Sequence, residues 1–196
     1  MWYDPLHIVY LSLLFIIIII RKIHTSRHGR QDPSRPSLTE SLILFFVGIA
    51  MIAPVVYIFS DVLDFASYSI AIWFRWTGVV FFVLACWLLW RSHRDLGENW
   101  TFTLKTNKKH QLVTTGVYRY LRHPMYAAHF SWAIAQLIMI PNWIAGPSFL
   151  VFALVLYYYR VGSEEEMMMD TFGDAYREYR SVTGRIFPRI FNFFSD

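Results

Sequence analysis

Two clusters of ionisable residues in the second half of the chain have types and spacing that suit chemistry. One is the run Arg122-His123-Pro124-Met125-Tyr126. Proline is well tolerated at the first position of a helix, because the N–H that it lacks would be unpaired there. The run therefore predicts a helix start, and a helix start flanked by arginine and histidine can bind an anion. Charged side chains that simply extend to solvent from a helix start are the alternative.

The other cluster is Arg160, followed at residues 164–166 by three glutamates. Three successive glutamates exceed what a helix cap needs, so one of them suits a site that holds a cation. Gly162 predicts the end of a helix, and Ser163 with the glutamates after it has the form of a capping box that starts the next helix. Arg160 and Glu164 share one face if the helix continues, and can still face one cavity if it breaks.

Several other chemistries lack the residues that they need. His123 has no second histidine or cysteine at ligand spacing, so no metal site is predicted. The single cysteine, Cys86, lies within an apolar run, and no serine lies in a nucleophile turn. The chain also lacks a glycine-rich dinucleotide fingerprint and a phosphate-binding loop. A metalloenzyme, a serine or cysteine hydrolase and a P-loop enzyme are therefore not expected.

The elements that must position these clusters are membrane helices. Of the 196 residues, 56% are apolar and only 16% are charged, and the mean hydropathy is +0.36. A soluble domain carries roughly 25% charged residues, and one of this size has too little interior for so much apolar surface. We therefore predict an all-α, polytopic membrane bundle, with a lipid bilayer as its second solvent.

Five stretches are long and apolar enough to be predicted as transmembrane helices, at about 20 residues per crossing. A signal peptide is the alternative for the first, but it has no basic residue ahead of it and no small-residue cleavage site. The last two are separated only by Pro141-Asn142, which predicts a tight antiparallel hairpin. The predicted spans are Pro5 to Ile20, Ser41 to Phe59, Tyr68 to Trp90, Pro124 to Ile140 and Trp143 to Tyr159.

Positive charge is confined to alternate connections. Seventeen of the 18 lysines and arginines follow spans one, three and five, whereas the connections Ser60–Ser67 and Pro141–Asn142 have none. The positive-inside rule then places the N-terminus outside and the C-terminus in the cytoplasm. The exception, Arg75, is expected to extend to the interface from the outer end of span three. Because topology explains the basic residues, nucleic acid is not a predicted partner.

The longest connection, residues 91–123, and the tail after residue 160 both fall on the predicted cytoplasmic side. In the tail, apolar and aromatic residues recur at helical spacing and predict an amphipathic helix. We therefore divide the chain into residues 1–92, which hold spans one to three, and residues 93–196, which hold the loop, the hairpin and the C-terminal helix. The residues of the amphipathic stripe are Met168, Phe172, Ala175, Tyr176 and Tyr179.

Five motifs, in order, resemble the isoprenylcysteine carboxyl methyltransferase family. The resemblance covers roughly Leu96 to Pro188, and the preceding Asp95-Leu-Gly-Glu-Asn-Trp100 also resembles the segment that leads into the family's cofactor loop. Each motif alone is weak, but five in this order are specific. They are Leu112-Val-Thr-Thr-Gly-Val-Tyr118, Arg122-His-Pro-Met-Tyr126, Arg160-x-x-x-Glu164-Glu165, Phe172-Gly-x-x-Tyr-x-x-Tyr179 and Arg185-x-x-Pro188. The short length and five spans look like the compact prokaryotic members, which implies a prokaryotic cell membrane.

The resemblance implies S-adenosyl-L-methionine as the cofactor and a lipophilic methyl acceptor, such as a prenylated cysteine, that enters from the lipid. By position, Arg160 is the implied catalytic residue, which reaches the acceptor; for Lys105 and Glu165 a cofactor contact is left open. The implied cofactor-binding residues are His110, Gln111, Leu112, Val113, Tyr118, His123, Pro124, Met125, Tyr126 and Glu164.

The residues themselves agree with this cofactor. Its carboxylate suits the start of span four, its ammonium and sulfonium suit Glu164, and its adenine suits Leu112, Val113 and Tyr118. Three alternatives stay open: a sterol-reductase-like NADPH enzyme, a phospholipid N-methyltransferase, and a non-enzymatic membrane scaffold. NADPH, with an extra phosphate, should require more basic residues where this chain has three glutamates. The oligomeric state and the acceptor are not predicted.

Overall fold

The computed structural model describes residues 4–28, 37–97 and 111–189, with the backbone alone for residues 25–28. In this part of the chain every long element is a helix, and two short 3-10 helices, Asp64–Ala66 and Gly116–Arg119, lie in the connections. The predicted all-α class is therefore confirmed. The α-helices are α1 Pro5–His28, α2 Leu38–Phe59, α3 Ile72–Leu96, α4 Pro124–Met139, α5 Ala145–Phe172 and α6 Asp174–Val182.

Four helices in the described ranges are long and apolar enough to cross a membrane: Pro5–His24, Leu38–Phe59, Ile72–Leu96 and Ala145–Phe172. The predicted fourth span corresponds to α4, which has 16 residues. At a rise of 1.5 Å per residue it is about 24 Å long, less than the roughly 30 Å of a hydrocarbon core. The count of five crossings therefore stays a prediction.

The bundle is built around α3 and α4, which pack along each other, with α1 against α3 and α2 against α5. Gly78 of α3 permits a close approach to α4, since a Cβ there would lie 2.6 Å from Cγ of Met139 and 3.1 Å from the carbonyl oxygen of Ala135. Small residues are the usual means by which membrane helices come close. A buried polar side chain joins three helices nearby, because Gln136 accepts from the Tyr10 hydroxyl and donates to the Ala145 carbonyl.

Arg75 does not extend to the interface as predicted. Its side chain is buried, with Nη1 2.6 Å from a carboxylate oxygen of Asp4, and Nε and Nη2 3.0 and 2.8 Å from the Met139 carbonyl oxygen. The last carbonyls of a helix have no partner within that helix. Arg75 donates hydrogen bonds to such a carbonyl at the end of α4. With its contact to Asp4, just before α1, it thereby links α3 to α1 and α4.

The connection between α4 and α5 is the predicted tight hairpin. Asn142 organises it: its Oδ1 accepts from the N–H groups of Ile144 and Ala145 at 3.0 and 2.9 Å, and its Nδ2 donates to the Leu63 carbonyl at 2.7 Å. Ser67 forms an isolated antiparallel bridge with Asn142. The hairpin is thus joined to the connection between α2 and α3 at the end of the bundle away from the charged clusters.

The predicted break at Gly162 is wrong, because α5 continues to Phe172 and ends at Gly173, which has a φ of +53°. A glycine inside a helix costs only about 1 kcal/mol, and the glutamates and methionines that follow Gly162 are good helix formers. Gly173, in contrast, adopts a conformation that L-residues other than glycine avoid. The capping box at Ser163 therefore does not form, and the amphipathic stripe is divided between α5 and α6.

Candidate active site

A cavity of about 310 Å³ opens at the end of the bundle where α3 ends and α4 begins. It lies between all six α-helices and the segment 111–118. Ten of the eleven predicted site residues line it, and the eleventh, His110, lies outside the described residues. The ten are Gln111, Leu112, Val113, Tyr118, His123, Pro124, Met125, Tyr126, Arg160 and Glu164.

Glu164 is the acidic residue that faces the cavity. Its Oε1 accepts a hydrogen bond of 2.7 Å from the Tyr126 hydroxyl and lies 3.3 Å from Nε of Arg160, one helical turn earlier. Its Oε2 lies 3.5 Å from Nδ1 of His123. Because α5 does not break at Gly162, Arg160 and Glu164 share one helical face. Arg160 also lies 3.5 Å from Oε1 of Glu40, which joins α5 to the start of α2.

Glu165 points away from the cavity into a set of cationic groups. Its carboxylate is bound by Arg122 at 3.1 and 3.2 Å and by Arg185 at 2.7 and 3.1 Å, and it lies 3.3 Å from Nε2 of His123. Arg180 lies 3.8 Å away. The side chain is 6% exposed. Glu165 is thus the point at which α5, α6, the segment before α4 and the segment after α6 meet, a role the sequence did not reveal.

The guanidinium of Arg122 is bound by protein groups and does not offer its charge to a ligand in the cavity. Besides Glu165, its guanidinium donates to the carbonyl oxygens of Arg180 and Thr183. The same segment is fixed through its backbone, since the N–H groups of Arg122 and His123 donate to the carbonyls of Gly184 and Arg185 at 2.8 and 2.9 Å. The anion site predicted here is therefore reduced to the helix start itself.

The start of α4 has no side-chain cap. In the first turn of a helix the N–H groups lack intrahelical acceptors, and Pro124 removes only one of them. Met125 and Tyr126, which line the cavity, carry N–H groups of this kind. These donors, with the positive end of the α4 dipole, are what an anion in the cavity would meet.

His123 lies between the two glutamates at this helix start. Burial alone would lower the pKa of its imidazole, but hydrogen bonds to Glu164 and Glu165 and their negative charges outweigh burial and raise it. The imidazolium form is therefore favoured in the folded protein. It links the glutamate that faces the cavity with the one that holds the surrounding segments together.

The segment that carries Tyr118 is held by residues from two helices. Asp95 of α3 accepts from the Val117 N–H at 2.9 Å, beside Gly116, whose φ is +62°. The Tyr179 hydroxyl donates to the Tyr118 carbonyl at 2.6 Å. Burial raises the pKa of the Tyr118 phenol, which keeps its proton and lies 3.4 Å from the Ser92 carbonyl. Tyr118, part of the predicted adenine site, is thus held in place by contacts from α3 and α6.

The other part of the cavity is lined mainly by apolar side chains of α2, α4 and α5. It also contains three basic side chains that sequence reasoning missed, Arg21, His93 and His129. The only signal for His129 was its position one turn after Tyr126, and Arg21 was assigned to the cluster that follows the first span. The apolar residues are Leu44, Val47, Phe130, Phe149, Ala153 and Leu156.

Comparisons with known proteins point to the family that the sequence motifs resemble. Residues 76–170 match the model of the isoprenylcysteine carboxyl methyltransferase (ICMT) family. A protein-S-isoprenylcysteine O-methyltransferase of Schizosaccharomyces pombe is 42% identical over 89 residues, which are 44% of this chain and 36% of that protein. The predicted resemblance to this family is confirmed. The protein-S-isoprenylcysteine O-methyltransferase B of Arabidopsis thaliana is 27% identical over 175 residues, 86% of this chain and 88% of that protein.

A solved ICMT structure has the same fold. It is described as the eukaryotic intramembrane Ras methyltransferase ICMT, and it matches with a TM-score of 0.56 and 23% identity over 92% of this chain. The match covers 62% of the solved chain, and the chain spans little more than a third of the S. pombe protein. The named relatives give no support to the reductase, phospholipid methyltransferase or scaffold alternatives.

Two of the sequence predictions are not decided by these comparisons. The family match begins in α3 and ends in α5, so it crosses the predicted division at residues 92 and 93, which stays a prediction. The prokaryotic source also stays a prediction. The Arabidopsis relative matches nearly end to end, so a short chain of this family also occurs in a plant.

Proposed function

We propose that this ICMT-family chain is an integral membrane methyltransferase that uses S-adenosyl-L-methionine to methylate the carboxylate of a prenylated cysteine or a similar lipophilic acceptor. The observation that carries the proposal is the composition of one cavity. Its polar end has Glu164 and an uncapped helix start, and its other end is lined by apolar side chains. A charged cofactor and an apolar acceptor chain can therefore meet in it.

The residues at the polar end fit the charges of S-adenosylmethionine, which supplies a methyl group on a cationic sulfur. Glu164 would hold the ammonium or sulfonium, because its second oxygen has only a 3.5 Å contact with His123. The N–H groups of Met125 and Tyr126 would receive the carboxylate. The wall formed by Leu112, Val113 and Tyr118 would hold the adenine. His123 and Tyr126 would keep Glu164 oriented.

Methyl transfer to a carboxylate removes a negative charge from the acceptor and a positive charge from the donor. A site that excludes water and aligns the two can accelerate such a step without a general base. Arg160 would orient the acceptor carboxylate by a charge-assisted contact, after exchanging one of its contacts with Glu40 or Glu164. The chain of the acceptor would lie along Phe149, Ala153 and the other apolar residues.

The membrane arrangement that we propose is multi-pass, with the N-terminus outside, five crossings and the site at the cytoplasmic face. Exposed tryptophan and tyrosine residues support it, because several lie near the two ends of the bundle, as these residue types do at membrane interfaces. Trp73 and Trp143 are each 71% exposed at one end. Trp90 and Tyr158 are exposed near the other. Tight packing of α4 within the bundle would let this short helix complete a crossing.

The decisive experiment is calorimetry with the purified protein in detergent, titrated with S-adenosylhomocysteine and, separately, with NADPH. We expect binding of S-adenosylhomocysteine alone. Glu164→Ala should weaken it about 10- to 100-fold, as for loss of a charge-assisted hydrogen bond. Glu166→Ala is the control, since Glu166 is exposed on the same helix. A folded wild-type protein that does not bind S-adenosylhomocysteine would exclude the proposed cofactor.

Wild-type protein should then methylate N-acetyl-S-farnesylcysteine and leave its carboxamide unmodified. The carboxamide has the same prenyl chain but no carboxylate to accept the methyl group. Binding of S-adenosylhomocysteine without methylation of any prenylated carboxylic acid would exclude the proposed acceptor class while the cofactor assignment remained.

A further inference from the structure

A second cationic group lines the cavity far from the family's motifs. Arg21 of α1 places Nη1 3.3 Å from Nε2 of His129 in α4, and both residues line the cavity. His93 of α3 lines the same wall, and its ring lies 4.8 Å from that of His24. Three helices thus bring basic side chains to one side of the cavity. The family match starts at residue 76, so it does not include α1.

The charges around the cavity distinguish Arg21 from the other two arginines that line it. Arg122 is paired with Glu165, and Arg160 is paired with Glu164 and Glu40. Within the described ranges no carboxylate lies within 4.0 Å of Arg21, and its polar partner is an imidazole. Arg21 is half-buried, and withdrawing a charge from water is costly unless an opposite charge compensates it. Arg21 is therefore the cavity cation whose charge an anionic ligand would balance.

The surroundings of this pair indicate which ligand that is. The His129 ring lies edge-on to Phe149, with 6.2 Å between centroids, and Phe149 belongs to the apolar wall. Glu164, which would hold the cofactor's cationic groups, contacts Tyr126, Arg160 and His123 instead. A ligand at Arg21 therefore carries an anionic group attached to an apolar chain, which is the chemistry of the acceptor rather than of the cofactor.

We propose that Arg21 and His129 form an anion subsite that binds the carboxylate of the lipophilic acceptor. This inference rests on the proposed function and adds a residue from outside the matched region to it. His129 holds the guanidinium of Arg21 toward the cavity, and Arg21 supplies the charge that compensates the acceptor carboxylate as it leaves water. Arg160 then needs only to orient that carboxylate toward the methyl group.

The test compares affinities for N-acetyl-S-farnesylcysteine and its carboxamide, each measured by calorimetry with S-adenosylhomocysteine present. Wild-type protein should bind the acid more tightly than the amide. In Arg21→Gln this preference should fall about 10- to 100-fold, the range for a charge-assisted hydrogen bond. Arg21→Lys should restore part of it, because lysine keeps the charge but loses the planar fork. Affinity for S-adenosylhomocysteine should change less than about threefold, which also shows that the variants are folded.

Lys22→Gln is the matched control, because it removes one positive charge from the neighbouring, exposed position. It should leave the acid-to-amide preference unchanged. An Arg21→Gln protein with the wild-type preference overturns the inference, and so does one that loses S-adenosylhomocysteine affinity while keeping the preference. Either result would leave the proposed function intact, since that is tested by binding and methylation in the wild-type protein.

Discussion

Replacing Glu165 by glutamine should destabilise the fold more than any other single loss of a carboxylate at this site. The carboxylate and the Arg122 side chain are 6% and 8% exposed, so the pair is buried, and His123 is 9% exposed. Removing one partner of a buried ion pair costs about 3–5 kcal/mol because the other charge stays buried and uncompensated. Arg185 and Arg180 are 43% and 48% exposed, and each adds at most about 1 kcal/mol. Loss of about 3–5 kcal/mol is therefore expected.

The measurement is thermal unfolding in detergent, in which such a loss corresponds to a decrease in Tm of roughly 6–20 °C for a chain of this size. Glu166→Gln is the matched control, with the same chemical change one residue later on the exposed surface of α5, and its Tm should change by less than about 2 °C. Equal Tm values for the two variants would refute the reasoning. They would mean that solvent screens the contacts of Glu165 despite its burial.

Three further predictions concern catalysis, packing and pH. Arg160→Ala should leave S-adenosylhomocysteine affinity within about threefold of wild type but reduce kcat/KM about 10- to 100-fold in a methylation assay; loss of cofactor binding instead would contradict its assignment to the acceptor. Gly78→Ala should lower the free energy of unfolding by about 1–3 kcal/mol, because the new Cβ overlaps Met139. Gly48→Ala should leave the free energy of unfolding unchanged, because a Cβ at Gly48 would meet nothing within 4 Å. Similar Tm values for the two alanine variants would contradict the close packing of α3 against α4. The pKa of His123 is raised in the folded protein. The imidazolium therefore stabilises the fold fully below the usual pKa of 6.5, and this stabilisation is lost as pH rises through the raised pKa. The Tm difference between wild type and His123→Gln should therefore shrink from pH 6 to pH 9, and a constant difference would show that the imidazole does not titrate in this range.

The membrane class and the set of residues around the cavity were predictable from the sequence because they depend on local properties. Apolar runs set the helices, and the motif from residue 122 to 126 starts α4 as Pro124 predicts. The hairpin at Asn142 followed from the two-residue gap between apolar stretches. Ten predicted residues meet at one cavity, nine of them from three motifs, and they could be predicted together because the family resemblance related those motifs.

The positions of several charged side chains could not be predicted, because they depend on partners that lie far apart in the chain. Arg75 was expected to extend to the interface, but the open carbonyl end of α4 and Asp4 hold it inside. Gly162 was expected to end α5, but the helix formers after it carry the helix on to Gly173. Glu165 and Arg21 gain their roles from neighbours 15 or more residues away, which no local pattern records.

The cavity is assembled from two regions of the chain, one inside and one outside the segment matched by the family model. The segment matched by the family contains the glutamate and the helix start proposed for the cofactor. The part before residue 76 contributes Arg21, Leu44 and Val47 to the lining of the cavity, and Glu40, which contacts Arg160. Under the proposed function, substitutions in α1 and α2 should therefore alter which lipid-linked acid is accepted while the proposed cofactor site stays constant. Exchanging these two helices between family members would be a direct route to new acceptor selectivity.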